Sequence, residues 1–172
     1  MRNSISILVF VFGVISMTAQ IKNVKVEFEL PASLKESSGV IFFNDKLITH
    51  NDSGGENKLY ELDITSGEVT RTVTTTNAIN VDWEDITQDA TSIYIGDIGN
   101  NSGSRTDLKI YKISKSDYIS NDAVTAEIIA FSYLAQTDFT ANLFKTEWDS
   151  EALISFDSSN LILFSKNWVE DT

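Results

Sequence analysis

The sequence predicts an all-β fold, and three observations carry that expectation. A loose internal repeat runs through the chain. Asp82-Trp83-Glu84-Asp85-Ile86 precedes Ser92-Ile93-Tyr94-Ile95-Gly96-Asp97, and Asp149-Ser150-Glu151-Ala152-Leu153 precedes Leu161-Ile162-Leu163-Phe164-Ser165-Lys166. An earlier, less regular copy runs from Glu36-Ser37-Ser38-Gly39-Val40-Ile41 to Leu47-Ile48-Thr49-His50-Asn51-Asp52. Second, short apolar runs are separated by turns rich in Gly, Asn and Asp, as strands require. Third, no long stretch has the periodicity of a helix. An all-strand repeat of roughly 40–50 residues points to the blades of a β-propeller.

The elements follow in order. Residues 1–19 read as a signal peptide: Arg2 is the basic start, Ile5 to Val14 the apolar centre, and Ser16-Met17-Thr18-Ala19 the small-residue cleavage region. That apolar stretch is too short to cross about 30 Å of hydrocarbon. The expected location is therefore secreted or periplasmic, with no membrane attachment after cleavage. Val24 to Leu30 alternates apolar and charged residues and predicts a half-buried strand that ends at Pro31, the single proline. The first repeat (33–76) predicts strands at Gly39–Phe43, Leu47–His50, Lys58–Leu62 and Val69–Val73. The second (80–133) predicts Trp83–Thr87, Ser92–Gly96, Leu108–Ile113 and Ala126–Tyr133. The third (148–172) predicts Glu151–Phe156 and Leu161–Ser165. Leu134 to Trp148 is long for a blade connection and has room for a short helix. Residues 20–172 are then an incomplete N-terminal section of a propeller, about two and a half four-stranded blades, since closure needs at least four blades of roughly 40 residues.

Charge and composition narrow the partners. Cleavage after Ala19 removes one of 13 basic residues and none of 25 acidic ones, deepening the net charge from -12 to -13. Such a surface repels nucleic acid and anionic membranes and attracts divalent cations. There is no cysteine, so no disulfide supports the exported domain and no thiol is present for a lipid anchor. A single histidine and no thiol leave no soft-metal ligand set.

The repeat also suggests a site. The first strand of a blade lines the channel and runs antiparallel to the second, so its start and the second strand's end share one mouth. That places Glu36, Asp52, Glu84, Asp85, Asp97, Asn100, Asn101 and Glu151 together. Crowded carboxylates repel one another unless a cation or proton intervenes. Hard oxygen ligands in loops suit calcium, with magnesium second. The expected metal set is Glu36, Asp52, Glu84, Asp97, Asn100 and Glu151, and no organic cofactor is expected. The Gly- and Asn-rich segments Asp52–Gly55 and Asp97–Asn101 fit plain turns equally well. His50 reads as a hydrogen-bonded structural residue, and Trp83, Trp148 and Trp168 as packing residues.

Several of these pieces carry a resemblance. His50-Asn51-Asp52-Ser53-Gly54 with Leu59-Tyr60-Glu61-Leu62-Asp63, then Asp82-Trp83-Glu84-Asp85 and Gly96-Asp97-Ile98-Gly99-Asn100-Asn101, resemble a family of exported β-propeller proteins of Bacteroidetes type. That family is distantly similar to phytase-like (esterase-like) and gluconolactonase-like propellers. The likeness covers roughly residues 33 to 168 and implies a calcium-type cation at the channel mouth. Phytase-like chemistry also uses several lysines and arginines, and here only Lys166 stands at a comparable place. Three functions follow as expectations: a propeller binding a divalent cation and a small molecule or glycan, a metal-dependent phosphoesterase or lactonase, and a non-catalytic scaffold or adhesion module.

Overall fold

The structure, a computed structural model, describes residues 25–157 and 159–169, so the expected signal peptide lies outside the described residues. The chain is all-β, built as consecutive antiparallel meanders. The first comprises β1 (Ser37–Phe43), β2 (Lys46–Asn51), β3 (Lys58–Leu62) and β4 (Val69–Thr75), hydrogen-bonded in that order. The second comprises β5 (Trp83–Gln88), β6 (Ser92–Asp97), β7 (Lys109–Ser114) and β9 (Glu127–Ala130); a third pairs β10 (Asp149–Ser155) with β11 (Leu161–Lys166). The turn between β1 and β2 uses Asn44 and Asp45, both at positive φ (52° and 58°), which closes a two-residue hairpin without splaying its strands.

The first strands of the three sheets lie side by side, β1 against β5 and β5 against β10. Asp85 fastens the second of these contacts: its Oδ2 accepts the Leu153 N–H at 2.7 Å, while Oδ1 accepts its own neighbour Ile86 N–H at 2.8 Å. At the first contact Gly39 backs onto Ile86 N and Asp85 Cα so closely that a Cβ would collide with both.

Two apolar layers hold the stack. Ile41, Ile48, Leu59 and Val73 of the first sheet meet Trp83, Ile86, Ile93, Ile95, Tyr111 and Ile113 of the second. Tyr94, Ile98 and Ile110 on the opposite side meet Leu153, Leu161 and Leu163 of the third. The middle sheet is therefore covered on both faces, and every residue of β6 is buried. Each large side chain withdrawn this way contributes about 1.5–3 kcal/mol. The outer face of the first sheet is partly sealed by Leu34, from the 3-10 turn Ala32–Leu34, packed with Tyr60 and Leu62.

Three sequence expectations change. Lys25 to Leu30 is not a strand: no neighbouring strand pairs with it, most of it is exposed, and only Phe28 finds partial cover, near Gly67. Leu134 to Trp148 contains turns but no helix. The helix is α1 (Lys115–Ser120), capped by Ser114, whose Oγ accepts the Asp117 N–H. The last predicted strand of the second repeat, Ala126–Tyr133, shrinks to β9, and a short strand the sequence did not signal precedes it. β8 (Ala123–Val124) adds in parallel to β4 of the first sheet, and only β9 completes the second. Arg71 holds this crossover, donating to Tyr118 O (2.8 Å) and Asn121 O (2.7 Å) while paired with Glu61 and Asp122. Among the described residues no helix is long and apolar enough to cross a membrane.

Candidate metal centre

Each first strand breaks register near its start. The ladder shifts between Ser37 and Val40 in β1, between Trp83 and Asp85 in β5, and between Ser150 and Ala152 in β10. A bulge re-aims the side chain at the extra residue. In β5 and β10 that residue is a glutamate, Glu84 and Glu151, so the repeat seen in the sequence is structurally real for these two copies.

In β1 the bulge falls on Ser38-Gly39 rather than on Glu36. Ser38 Oγ instead donates to the Glu84 carbonyl. Glu36 precedes the strand, with an exposed carboxylate 3.6 Å from Lys35.

Beside the Glu84 bulge stand two further carboxylates. Asp52 follows the end of β2, and Asp82 immediately precedes β5. One carboxylate oxygen each from Asp52, Asp82 and Glu84 lies within 4.8 Å of the other two, and all three residues are half-buried. The local backbone enforces this. The Asp82 N–H donates to Asp97 Oδ1 (3.0 Å), and the Asp82 carbonyl accepts the N–H groups of Ile98 and Gly99, both at 3.2 Å. Asp52 is held by its N–H on the Glu36 carbonyl (2.8 Å) and by Asn80 Nδ2 on its own carbonyl (2.8 Å). Gly99 packs directly against the cluster: a Cβ there would overlap Asp82 Oδ2 and Glu84 Oε1. Only glycine allows the loop to pass this close.

The electrostatics follow from the crowding. Burial, then the charges of Asp52, Glu151, Asp82 and Asp149, push the Glu84 carboxyl up to about 8. Burial and Asp52 push Asp82 up to about 6, against the pull of Arg105. Without a cation, protons reduce the repulsion near neutral pH.

Asp97 has a different environment. It is fully buried, and its Oδ1 lies 2.9 Å from Arg105 Nη2. Burial raises its pKa, and Arg105 and the Asp82 N–H oppose that rise. Arg105 also donates to the Gly99 carbonyl (2.8 Å) and to Asp107 (3.0 Å). Asn100 is occupied as well: its N–H donates to Asp149 Oδ1 (2.6 Å), its Nδ2 to the Trp148 carbonyl (3.0 Å), and its Oδ1 accepts the Arg105 N–H (2.9 Å). Phe144 N–H donates to the carbonyl of Asn101, leaving Asn101 part of the same loop scaffold. Glu151 lies 3.4 Å from Lys166, which also sits 3.7 Å over the Trp168 ring.

Of the expected set, Asp52 and Glu84 come together. Glu151 contributes to their field from a distance, while Glu36, Asp97 and Asn100 have other partners. Asp85 serves as the fastening between first strands. Asp82 was the residue missed by sequence reasoning. Its signal was present, because the Asp82-x-Glu84 spacing at a strand start recurs as Asp149-x-Glu151 in the later copy.

His50 is fully buried, with Nδ1 3.0 Å from the Asn51 carbonyl and its ring edge-on to Trp83. Burial holds its pKa below the usual histidine value. Trp83 is likewise fully buried, its indole N–H on the Ile79 carbonyl, as a packing residue should be. Compared with family models, curated proteins and solved structures, the chain has no match.

Proposed function

We propose that this chain forms blades of an exported β-propeller whose inner strands are β1, β5 and β10, and that Asp52, Asp82 and Glu84 bind a hard divalent cation, calcium first, at the channel mouth. The observation that carries the reading is the trio itself. Two oxygens bound to one calcium at 2.3–2.6 Å can stand at most about 5 Å apart, and the three carboxylates meet that limit. The side-by-side first strands and the repeated bulge support the propeller reading. Calcium would replace the protons that Glu84 and Asp82 otherwise hold. A calcium titration by calorimetry should give one saturable site that is lost in Asp82→Asn; heat indistinguishable from buffer dilution would remove the proposal.

A hydrolytic role is the second reading, and Glu84 is the observation that favours it. If Asp52 and Asp82 hold the cation, the Glu84 carboxylate stands beside metal-bound water, where it can take a proton as base. Phosphate monoesters, diesters and lactones with calcium present form the substrate panel. Calcium-dependent turnover of any of them supports catalysis, and none on any substrate leaves the binding role.

A further inference from the structure

The long connection from β9 to β10 and the loop after β6 enclose a second feature, separate from the carboxylate trio. The Asn142 N–H donates to the Ser102 carbonyl (2.9 Å), the Phe144 N–H to Asn101 (2.8 Å), and Gln136 Nε2 to the Gly103 carbonyl (2.7 Å). These bonds fold residues 134–148 down onto the loop and leave a cavity of about 270 Å³ between them. That is just under the roughly 300–1,000 Å³ of most small-ligand sites. Its wall is of two kinds. Trp148, half-buried and tilted on Tyr133 at 5.3 Å between centroids, supplies an aromatic surface. Asp138, Thr140, Asn142, Lys145 and Glu147 supply polar groups around it. Lys145 and Glu147 are exposed and make no ion pair among the described residues.

A ligand for this wall needs an apolar face and hydrogen-bonding groups around its edge. An acidic or phosphorylated compound is disfavoured by Asp138 and Glu147 on a chain of net charge -12. A purely apolar compound would strip water from the amide, ammonium and carboxylates without replacing it. A sugar ring meets both demands. Its polarised C–H face matches the negative face of an indole, and its hydroxyls can donate to carboxylates and accept from an amide or ammonium.

We infer that the Trp148 cavity is a carbohydrate-binding site that takes a neutral pyranose unit, independent of the cation site. The two sites border one loop: Gly99 touches the carboxylate trio, and Gly103 lines the cavity.

The test titrates the full chain with methyl glucoside, methyl galactoside, methyl mannoside and methyl xyloside, with glycerol as the polyol control. Shifts of the Trp148 indole and of the Asn142 and Glu147 amides are followed by NMR. At least one glycoside should give saturable shifts at millimolar concentration, and glycerol should not. Asn142→Ala, an exposed position whose backbone contact is retained, should weaken binding at least tenfold, as should Trp148→Ala. Asp82→Asn should titrate like the parent, which separates this site from the cation reading. The inference is overturned if the folded protein gives no saturable shift with any glycoside. It is equally overturned if glycerol reproduces the shifts, if they map away from Trp148, or if Asp82→Asn abolishes them.

Discussion

Asp97 and Asp82 are tied to each other by a hydrogen bond, yet they lie in opposite electrostatic settings. Asp97 is fully buried and is given a guanidinium by the chain itself, Arg105 at 2.9 Å. Asp82 is only half-buried, but its close neighbours are two more carboxylates, Asp52 and Glu84. At Asp97 the fold supplies the counter-charge for the carboxylate that holds the loop. Where it gathers three, among the described residues it places no lysine or arginine within ion-pair distance of them. The contrast separates a structural carboxylate from a cation site more clearly than acidity alone.

Removing the counter-charge from the first region is expected to have the largest effect. Arg105→Ala leaves Asp97 buried and unpaired, and should cost about 3–5 kcal/mol in urea unfolding. A loss below about 1 kcal/mol would show that Asp97 does not depend on its partner.

Next comes Gly99→Ala, which inserts a methyl where Asp82 and Glu84 already stand. Overpacking of this kind should cost about 1–3 kcal/mol. It should also drive the carboxylates apart, so that calcium no longer raises the melting temperature. A variant that keeps the full calcium response would place the cation elsewhere.

The third test is smaller and concerns pH. Glu84 titrates near 8 in the folded protein against an ordinary value of 4.5. The unfolded chain therefore releases this proton first, and metal-free stability falls as pH rises from about 4.5 to about 8. Asp82 adds to the same slope between 3.8 and about 6. Buried His50 acts in the opposite sense, losing stability as pH drops below its ordinary 6.5. Glu84→Gln should flatten the fall toward pH 8 and leave the His50 contribution intact. Equal slopes in the parent and the variant would contradict the assignment.

The legible and illegible parts of the chain divide along physical lines. Strands with clear period-2 or continuous apolar patterns were readable, and β3 begins and ends at Lys58 and Leu62 as expected. The all-β class followed from them. The pattern at Val24 to Leu30 misled because alternation records only what a strand could bury, not whether a partner exists. α1 escaped notice because six residues are too few for a helical period to show. Half of the carboxylate trio's logic was readable from Asp-x-Glu. The first copy was aligned on Glu36, whereas the backbone bulges at Ser38-Gly39, and no spacing rule distinguishes those choices. The pairing of Asp97 with Arg105 was also hidden. It joins a strand end to a loop eight residues away, a contact created only when that loop folds back over Gly99.

The central claim is that the unpaired trio, and not the neutralised Asp97, holds a divalent cation. The most direct test is a thermal melt of the full chain with excess EDTA and then with calcium at a hundredfold excess over its dissociation constant. Binding to the folded state alone contributes about 2.7 kcal/mol under those conditions, which for a chain of this size is a rise of roughly 5–10 °C. Glu84→Gln and Asp82→Asn should lose that rise. Identical melting curves in EDTA and calcium, or an undiminished rise in both variants, would contradict the account.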